Sequence, residues 1–140
     1  YRYVIHNHRV RSAIWHDLTT WEPRPLNMDA MHEAAQVFVG THDFTSFRAV
    51  QCQAKSPVRT VYEAGFKQEG EHIVFECEAN AFLHHQIRNF IGSLLMVGRG
   101  EHDGEWIKAV LESRDRKQAG ATASAHGLYF LSVTYEKEIL

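Results

Sequence analysis

Arg88 is the residue best suited to chemistry, because it lies in a segment that is otherwise almost entirely apolar. An arginine side chain keeps its charge at ordinary pH, so a position near a core requires either an anion or a path to water. One interpretation is that Arg88 faces a carboxylate or a phosphate in a cleft. The alternatives are a side-chain stem laid along apolar surface with its head in water, or an ion pair with an internal carboxylate such as Glu78.

Two of the ten histidines, His84 and His85, directly precede this arginine. A metal site on a helix needs ligands four residues apart or a cluster of His, Cys, Asp and Glu. The residue four positions after His84 is Arg88, which does not bind metals, and adjacent histidines point about 100° apart on a helix. The pattern therefore favours a surface or capping role, or a phosphate or base contact for His85, over a metal ligand, and we expect no metal and no cofactor.

A polar, basic loop over residues 47–59 is the second candidate for binding. Arg48, Lys55 and Arg59 could contact phosphates, and Gln51 and Gln53 could contact sugar hydroxyls or base edges. The alternative is an ordinary solvated loop. The net charge of the chain is −2, so any affinity for nucleic acid would have to come from basic residues gathered on one face rather than from bulk charge.

The elements that must position these residues follow from periodicity and from capping signals. They are, in chain order, a strand over Tyr1–His6, a loop over Trp21–Leu26, a helix over Met28–Val39 after the N-cap Asn27, an irregular stretch over Thr41–Ser56 with a short turn at Asp43–Phe47, strands over Val58–Gln68 and His72–Ala79, helices over Leu83–Val97 and from Asp103 to Ser113, and a last strand over Leu128–Tyr135. Strands and helices in this order predict an α+β domain, with helices packed on a largely antiparallel sheet.

Length and composition limit the class of protein. The chain has 140 residues, 44% of them hydrophobic, which fits a single domain with one core. We expect no membrane contact, because no apolar run approaches the roughly 18 residues of a membrane span. We also expect no signal peptide, because the N-terminal residues Tyr1–His6 contain no apolar h-region. Cys52 and Cys77 form no CxxC motif, so we expect reduced thiols in a cytoplasmic protein. The chain begins at Tyr1 without an initiator Met, and we expect a fragment that opens inside a strand.

Four stretches carry a resemblance to a known family. They are Tyr1-Arg2-Tyr3, Asp43-Phe44-Thr45-Ser46-Phe47-Arg48, Asn80-Ala81-Phe82-Leu83-His84-His85-Gln86-Ile87-Arg88-Asn89 and Gly127-Leu128-Tyr129. Their order and separations resemble the signatures of the tRNA pseudouridine synthase A family, over essentially the whole chain. Four linked motifs are far more specific than any one of them.

The resemblance implies an activity and an architecture. The family converts uridines at positions 38 to 40 of the tRNA anticodon arm to pseudouridine, without metal or cofactor and as a homodimer, using a two-part fold with a central cleft. Its nucleophile is an aspartate in the N-terminal half, within an Arg-Thr-Asp-Ala-Gly motif that this chain lacks. By resemblance, residues 1–140 are then a single domain, the C-terminal part of a longer synthase, and we expect the chain alone to be inactive.

The resemblance also implies roles for three residues. Tyr1 matches the tyrosine that lies against the target base, Arg88 matches the basic residue that pairs with the nucleophilic aspartate, and Leu128 matches an aliphatic residue of the pocket wall. A paired arginine would favour the ionised carboxylate that the reaction needs. Two other functions stay open, namely an RNA-binding module without catalytic activity and a histidine-based metal hydrolase.

Overall fold

The computed structural model describes residues 1–50 and 54–131. These residues form an α+β domain in which three helices pack on a six-stranded mixed sheet. The strands are β1 (Arg2–Asn7), β2 (Thr20–Glu22), β3 (Gly40–Asp43), β4 (Val58–Glu69), β5 (His72–Ala79) and β6 (Leu128–Tyr129), and the helices are α1 (Met28–Ala35), α2 (Gln86–Gly98) and α3 (Gly104–Ser113). The predicted α+β class, with a mostly antiparallel sheet, is confirmed.

The sheet has the order β2-β1-β5-β4-β3, and β6 pairs with the beginning of β1. All neighbouring strands are antiparallel except β1 and β2, which are parallel. In the centre of the sheet Phe75 lies opposite Tyr3 on one side and Phe66 on the other. This register places the three aromatic side chains on one face, where all three are buried.

The core forms where α1, α2 and α3 cover that face of the sheet. The ring of Phe90 on α2 stacks on Phe38 with centroids 3.9 Å apart, and Phe44 and Phe47 pack around the pair. These aromatic rings are fully buried. Because α2 is buried along nearly its whole length, polar side chains on it are held in fixed surroundings.

Several predicted boundaries agree with the structure. The strand β5 has the predicted bounds, and the predicted helix α3 begins after Asp103, whose carboxylate accepts a hydrogen bond from the Trp106 N–H at 3.0 Å. The side chain of Asn27 caps α1 in the same way, by accepting from the Ala30 N–H at 3.0 Å. Both caps supply acceptors for backbone N–H groups that have no partner within the helix.

Other boundaries were predicted wrongly. The helix α1 ends at Ala35 and continues only as a 3₁₀ turn over Gln36–Phe38. The expected loop at Trp21 begins as β2, and the expected irregular stretch after Gly40 begins as β3. Strands of three or four residues are too short to show an alternating pattern, and both depend on partners that are distant in sequence.

Two further differences lie near the candidate site. The helix α2 begins at Gln86 rather than at Leu83, because a turn precedes it in which the Gln86 N–H donates to the Leu83 carbonyl. The last strand among the described residues is β6, which ends at Tyr129. Residues 132–135 of the predicted strand lie outside the described residues, as do Gln51, Cys52 and Gln53. Cys77 is a free, buried thiol, and burial raises its pKa to about 12.

Candidate active site

A pocket of about 460 Å³ lies where the beginning of β1, the turn before α2 and the strand β6 meet. Tyr1, His85, Arg88 and Leu128 all line it, together with Phe82. The structure thus brings four of the residues singled out from the sequence to one place. Which of them contact a substrate stays a prediction.

Tyr1 and Leu128 are held at this pocket by pairing in the sheet. The backbone nitrogen and oxygen of Tyr1 both form hydrogen bonds of 3.0 Å with the backbone of Cys77. The Tyr1 ring meets Phe82 edge to face, with centroids 4.9 Å apart. Leu128 is placed by its pairing with Tyr3 on β1. The result is a half-buried aromatic ring and an aliphatic side chain beside the same space.

Arg88 projects from the first turn of α2 and is held by two neutral acceptors. Its Nε–H donates to the Ala123 carbonyl at 2.8 Å, and its Nη1–H donates to the His85 Nε2 at 3.1 Å. Among the residues that the structure describes, no carboxylate forms an ion pair with Arg88, and Glu78 is exposed. The guanidinium is therefore oriented while its charge is left without a partner in this part of the chain.

His85 stands just before α2 with a left-handed backbone conformation, φ +62°. Such a conformation is uncommon for a residue with a Cβ and often marks a functional turn. Burial, followed by the charges of His84, Arg88 and Arg116, lowers the pKa of His85. A neutral ring whose Nε2 carries no proton can accept the hydrogen bond from Arg88.

Sequence reasoning missed three residues that do not line the pocket but belong to the surroundings of Arg88, namely Tyr3, Asn89 and Arg116. The Tyr3 hydroxyl donates to the Ser124 carbonyl at 2.6 Å and contacts the Thr20 hydroxyl, also at 2.6 Å. Burial raises the pKa of Tyr3 to about 12, against the smaller opposing effects of Thr20 and Arg88. Its position in a strand with alternating apolar residues gave it the appearance of a core residue only.

Asn89 is fully buried and joins three segments. Its amide donates to the Phe47 carbonyl at 2.7 Å, and its side-chain oxygen accepts from Thr122 at 2.6 Å and from Arg116 at 3.1 Å. The available signal was an amide side chain next to Arg88 in an apolar helix, since buried polar groups need partners. The partners could not be identified, because Thr122 lies 33 positions further along the chain.

The basic residues of the loop, all within the described part of the chain, lie outside this pocket. Arg48 donates to the Ala54 carbonyl at 3.4 Å, Arg59 donates to the carbonyls of Ser56 and Val58, and Lys55 is exposed. The structure does not bring these three basic residues to the pocket lining. The loop nevertheless approaches the rim, since the Ala49 N–H donates to the His84 carbonyl at 2.9 Å.

The described residues contain neither a candidate metal centre nor a helix that could span a membrane. Within residues 1–50 and 54–131, no three side chains of His, Cys, Asp or Glu are arranged so that they could share a metal ion. None of the helices described has both the length and the apolar character required to traverse a bilayer.

Comparison with known proteins decides the family. The profile described as tRNA pseudouridine synthase matches residues 34–136. The chain belongs to the tRNA pseudouridine synthase family. It is 53% identical over 99% of its length to the tRNA pseudouridine synthase A of Pseudomonas aeruginosa, and 51% identical over 96% of its length to that of Francisella philomiragia. A third relative of the same name, from Francisella tularensis subsp. novicida, is 50% identical over 96% of the chain.

The alignment with these synthases covers only part of each relative. The chain spans 48% of the Pseudomonas protein and 52% of the two Francisella proteins. The pocket around Tyr1, Arg88 and Leu128 thus belongs to a chain that is similar to about half of a tRNA pseudouridine synthase.

Proposed function

We propose that this chain supplies the arginine, the base-contacting tyrosine and the aliphatic wall of a tRNA pseudouridine synthase active site. The nucleophilic aspartate would come from another segment of a longer chain. One observation carries the proposal: the Arg88 guanidinium is oriented beside a pocket by Ala123 and His85, yet no carboxylate in the described residues neutralises it. A half-buried, unneutralised arginine is suited to receive an anion from outside.

The chemistry gives each pocket residue a task. Conversion of uridine to pseudouridine breaks the bond from N1 of uracil to C1′ of ribose and forms a bond from C5 to C1′, so the base must turn while it is held. C5 gives up its proton and N1 ends with one, so the overall change is an isomerisation. Arg88 would keep the attacking carboxylate ionised, because an opposite charge at close range lowers the pKa of an acid. Tyr1 would lie against the extruded uracil, and Leu128 would close the apolar side of the pocket.

The substrate and the assembly belong to the same proposal. We take the substrate to be uridines at positions 38 to 40 of the tRNA anticodon stem-loop, modified in the cytoplasm by a homodimer without metal or cofactor. Arg48, Lys55, Arg59 and His85 would contact RNA phosphates near the pocket rim. The support is the family membership, together with the approach of the basic loop to His84 at that rim.

The test uses the longer protein that joins this chain to an Arg-Thr-Asp-Ala-Gly segment. Incubation with tRNA should yield pseudouridine, and Arg88→Gln should lower the rate by about 10²-fold or more, as loss of a charged active-site group does. Arg114→Gln changes an exposed arginine that directly follows α3; it is the matched control and should keep the wild-type rate. Full activity of the Arg88 variant would contradict the proposal. Binding of tRNA without any conversion would favour an RNA-binding module instead.

A further inference from the structure

The segment from Gly120 to Ala123 lies directly against α2. The Gly120 N–H donates to the Ser93 hydroxyl at 2.9 Å, and the Ala123 N–H donates to the Arg88 carbonyl at 3.0 Å. The Ala123 carbonyl then accepts from the Nε–H of the same arginine. The orientation of the Arg88 head therefore depends on where this segment holds the Ala123 oxygen.

A triangle of three side chains fastens the segment to the helix. Arg116 donates to the side-chain oxygen of Asn89 at 3.1 Å and to the Thr122 hydroxyl at 3.0 Å, and that hydroxyl donates to the same Asn89 oxygen at 2.6 Å. Arg116 also donates to the Gly120 carbonyl at 2.9 Å. Two residues of the segment, Gly120 and Thr122, are thereby tied to a fully buried side chain of α2.

The charge of Arg116 is left without a carboxylate in the described residues, as is that of Arg88. Its acceptors are all neutral, and burial lowers its pKa. A planar guanidinium with donors in a fixed fork holds several acceptors in one geometry, which a lysine cannot do. The positive charges of Arg116 and Arg88 also act on His85, the second acceptor of the Arg88 head.

We propose that Arg116, Asn89 and Thr122 are positioning residues, which fix the Ala123 carbonyl and through it the direction of the Arg88 guanidinium. An arginine side chain has many rotamers, and hydrogen bonds that hold the Ala123 oxygen in one place restrict the Arg88 guanidinium to few of them. The geometry needed for catalysis is then present before the substrate binds. The benefit to catalysis rests on the function proposed above. The structural coupling between Thr122 and Arg88 is independent of that proposed function.

Thr122→Val is the variant that tests this coupling, because valine keeps the shape of threonine and removes its hydroxyl. The exposed position of Thr122 limits the effect on folding. Thr122→Ser restores the hydroxyl and should restore the wild-type behaviour. Thr41→Val is the matched control, since it removes a hydroxyl that contacts Thr60 at 2.7 Å on the far edge of the sheet.

The first readout is the NMR signal of the Arg88 Nε–H in this chain, assigned by its loss in Arg88→Lys. In the wild type and in Thr122→Ser, the bond to Ala123 should slow its exchange with water. In Thr122→Val exchange should be faster by about tenfold, as for a site that opens locally, while Thr41→Val should leave it unchanged. Unchanged Arg88 exchange in Thr122→Val would overturn the proposal, even if that variant melts at a lower temperature.

The second readout is the rate of the longer protein on tRNA. Thr122→Val should lower kcat by about tenfold or more with little change in KM, because misplacement of a catalytic group acts on the transition state. A rise in KM alone would contradict the positioning role. If the wild-type protein forms no pseudouridine, the proposed function fails, and the Arg88 exchange measurement still decides the coupling.

Discussion

Gly92 on α2 lies directly against the carbonyl of Ala121. A Cβ atom built at Gly92 would stand 1.8 Å from the Ala121 oxygen, a distance that no two non-bonded heavy atoms adopt. The Ala121 carbonyl belongs to the segment whose Ala123 oxygen accepts the hydrogen bond from Arg88. Gly92→Ala should therefore displace this segment and lower the free energy of unfolding by about 1–3 kcal/mol or more, measured by urea titration.

Gly104→Ala is the matched control for this substitution. A Cβ at Gly104 would meet only Ala34, at 3.7 Å or more, which is an ordinary contact distance. Because alanine is the better helix former, the variant should be as stable as the wild type or more stable by up to about 1 kcal/mol. Equal stability of the two alanine variants would show that the contact at Gly92 is not a constraint.

Acid should weaken the fold in the range where histidines titrate. The pKa of His85 is lowered by burial and by the neighbouring positive groups, and the pKa of His72 is lowered by burial and by His6. Below the ordinary value of about 6.5 the unfolded chain then binds more protons than the folded one. The free energy of unfolding should be largest above that pH and should fall as the pH drops towards the folded-state values.

The histidine contribution can be isolated by substitution at the turn before α2. His85→Asn removes the titrating group, and asparagine accepts the left-handed backbone conformation better than most residues. The difference in unfolding free energy between pH 7.5 and pH 5 should be smaller in this variant than in the wild type. The same difference in both proteins would contradict a role for His85.

Glu22 should contribute strongly to the stability of the fold, because its buried carboxylate binds two arginines. It accepts from the Arg24 Nε at 3.0 Å and from the Arg99 Nη1 at 3.0 Å, and so ties β2 to the end of α2. Although burial raises the pKa of Glu22, the bonds from Arg24 and Arg99 outweigh it and lower the pKa overall. Glu22→Gln should cost about 1–3 kcal/mol of unfolding free energy at pH 7.

The comparison for Glu22→Gln is Glu69→Gln. Glu69 is exposed and forms ion pairs with Arg2 and Lys67 on the sheet surface. Exposed ion pairs contribute little to stability, because water and salt screen them. The Glu69 variant should unfold at nearly the wild-type urea concentration, and a loss as large as that of Glu22→Gln would refute the distinction drawn from burial.

The salt dependence of tRNA binding should show that the basic residues of the loop contact RNA phosphates. Each phosphate contact by a lysine or arginine contributes a slope of just under one unit in a plot of log affinity against log salt. Replacing Arg48 and Arg59 together by glutamine should therefore flatten the slope by about two units. The control replaces Lys108 and Arg114 on or next to α3, and it should leave the slope as it is. An unchanged slope in the loop variant would mean that the loop is a plain solvated connection.

Capping and periodicity predicted most elements because both are local. Asn27 and Asp103 cap helices with their own neighbours, and the alternation in β5 is visible within eight residues. The short strands β2 and β3 were missed because their stability comes from pairing with β1 and β4 rather than from their own pattern. Local sequence does not contain that information.

In the candidate site, too, the sequence predicted what is local and missed what depends on distant residues. Arg88 was identifiable because a permanent charge in an apolar segment is locally anomalous. Its surroundings were not, since Ala123, its main acceptor, lies 35 positions away and contributes a backbone oxygen. A carbonyl oxygen is present at every position, so nothing in the type of residue 123 marks it as an arginine partner.

From the way the short strands β2 and β6 pair with β1, we infer the order in which the parts of the sheet form during folding. β2 pairs with the second half of β1, at Ile5–Asn7. β6 pairs with Arg2 and Tyr3 at the start of β1 through only two residues, which lie near the far end of the described chain. The hairpin of β4 and β5 joins neighbouring residues, so it can form early, whereas contacts distant in sequence form slowly. We expect the Leu128 wall to be the last part of the pocket to close during folding. For the same reason, it should be the first to exchange its amide hydrogens in the folded protein.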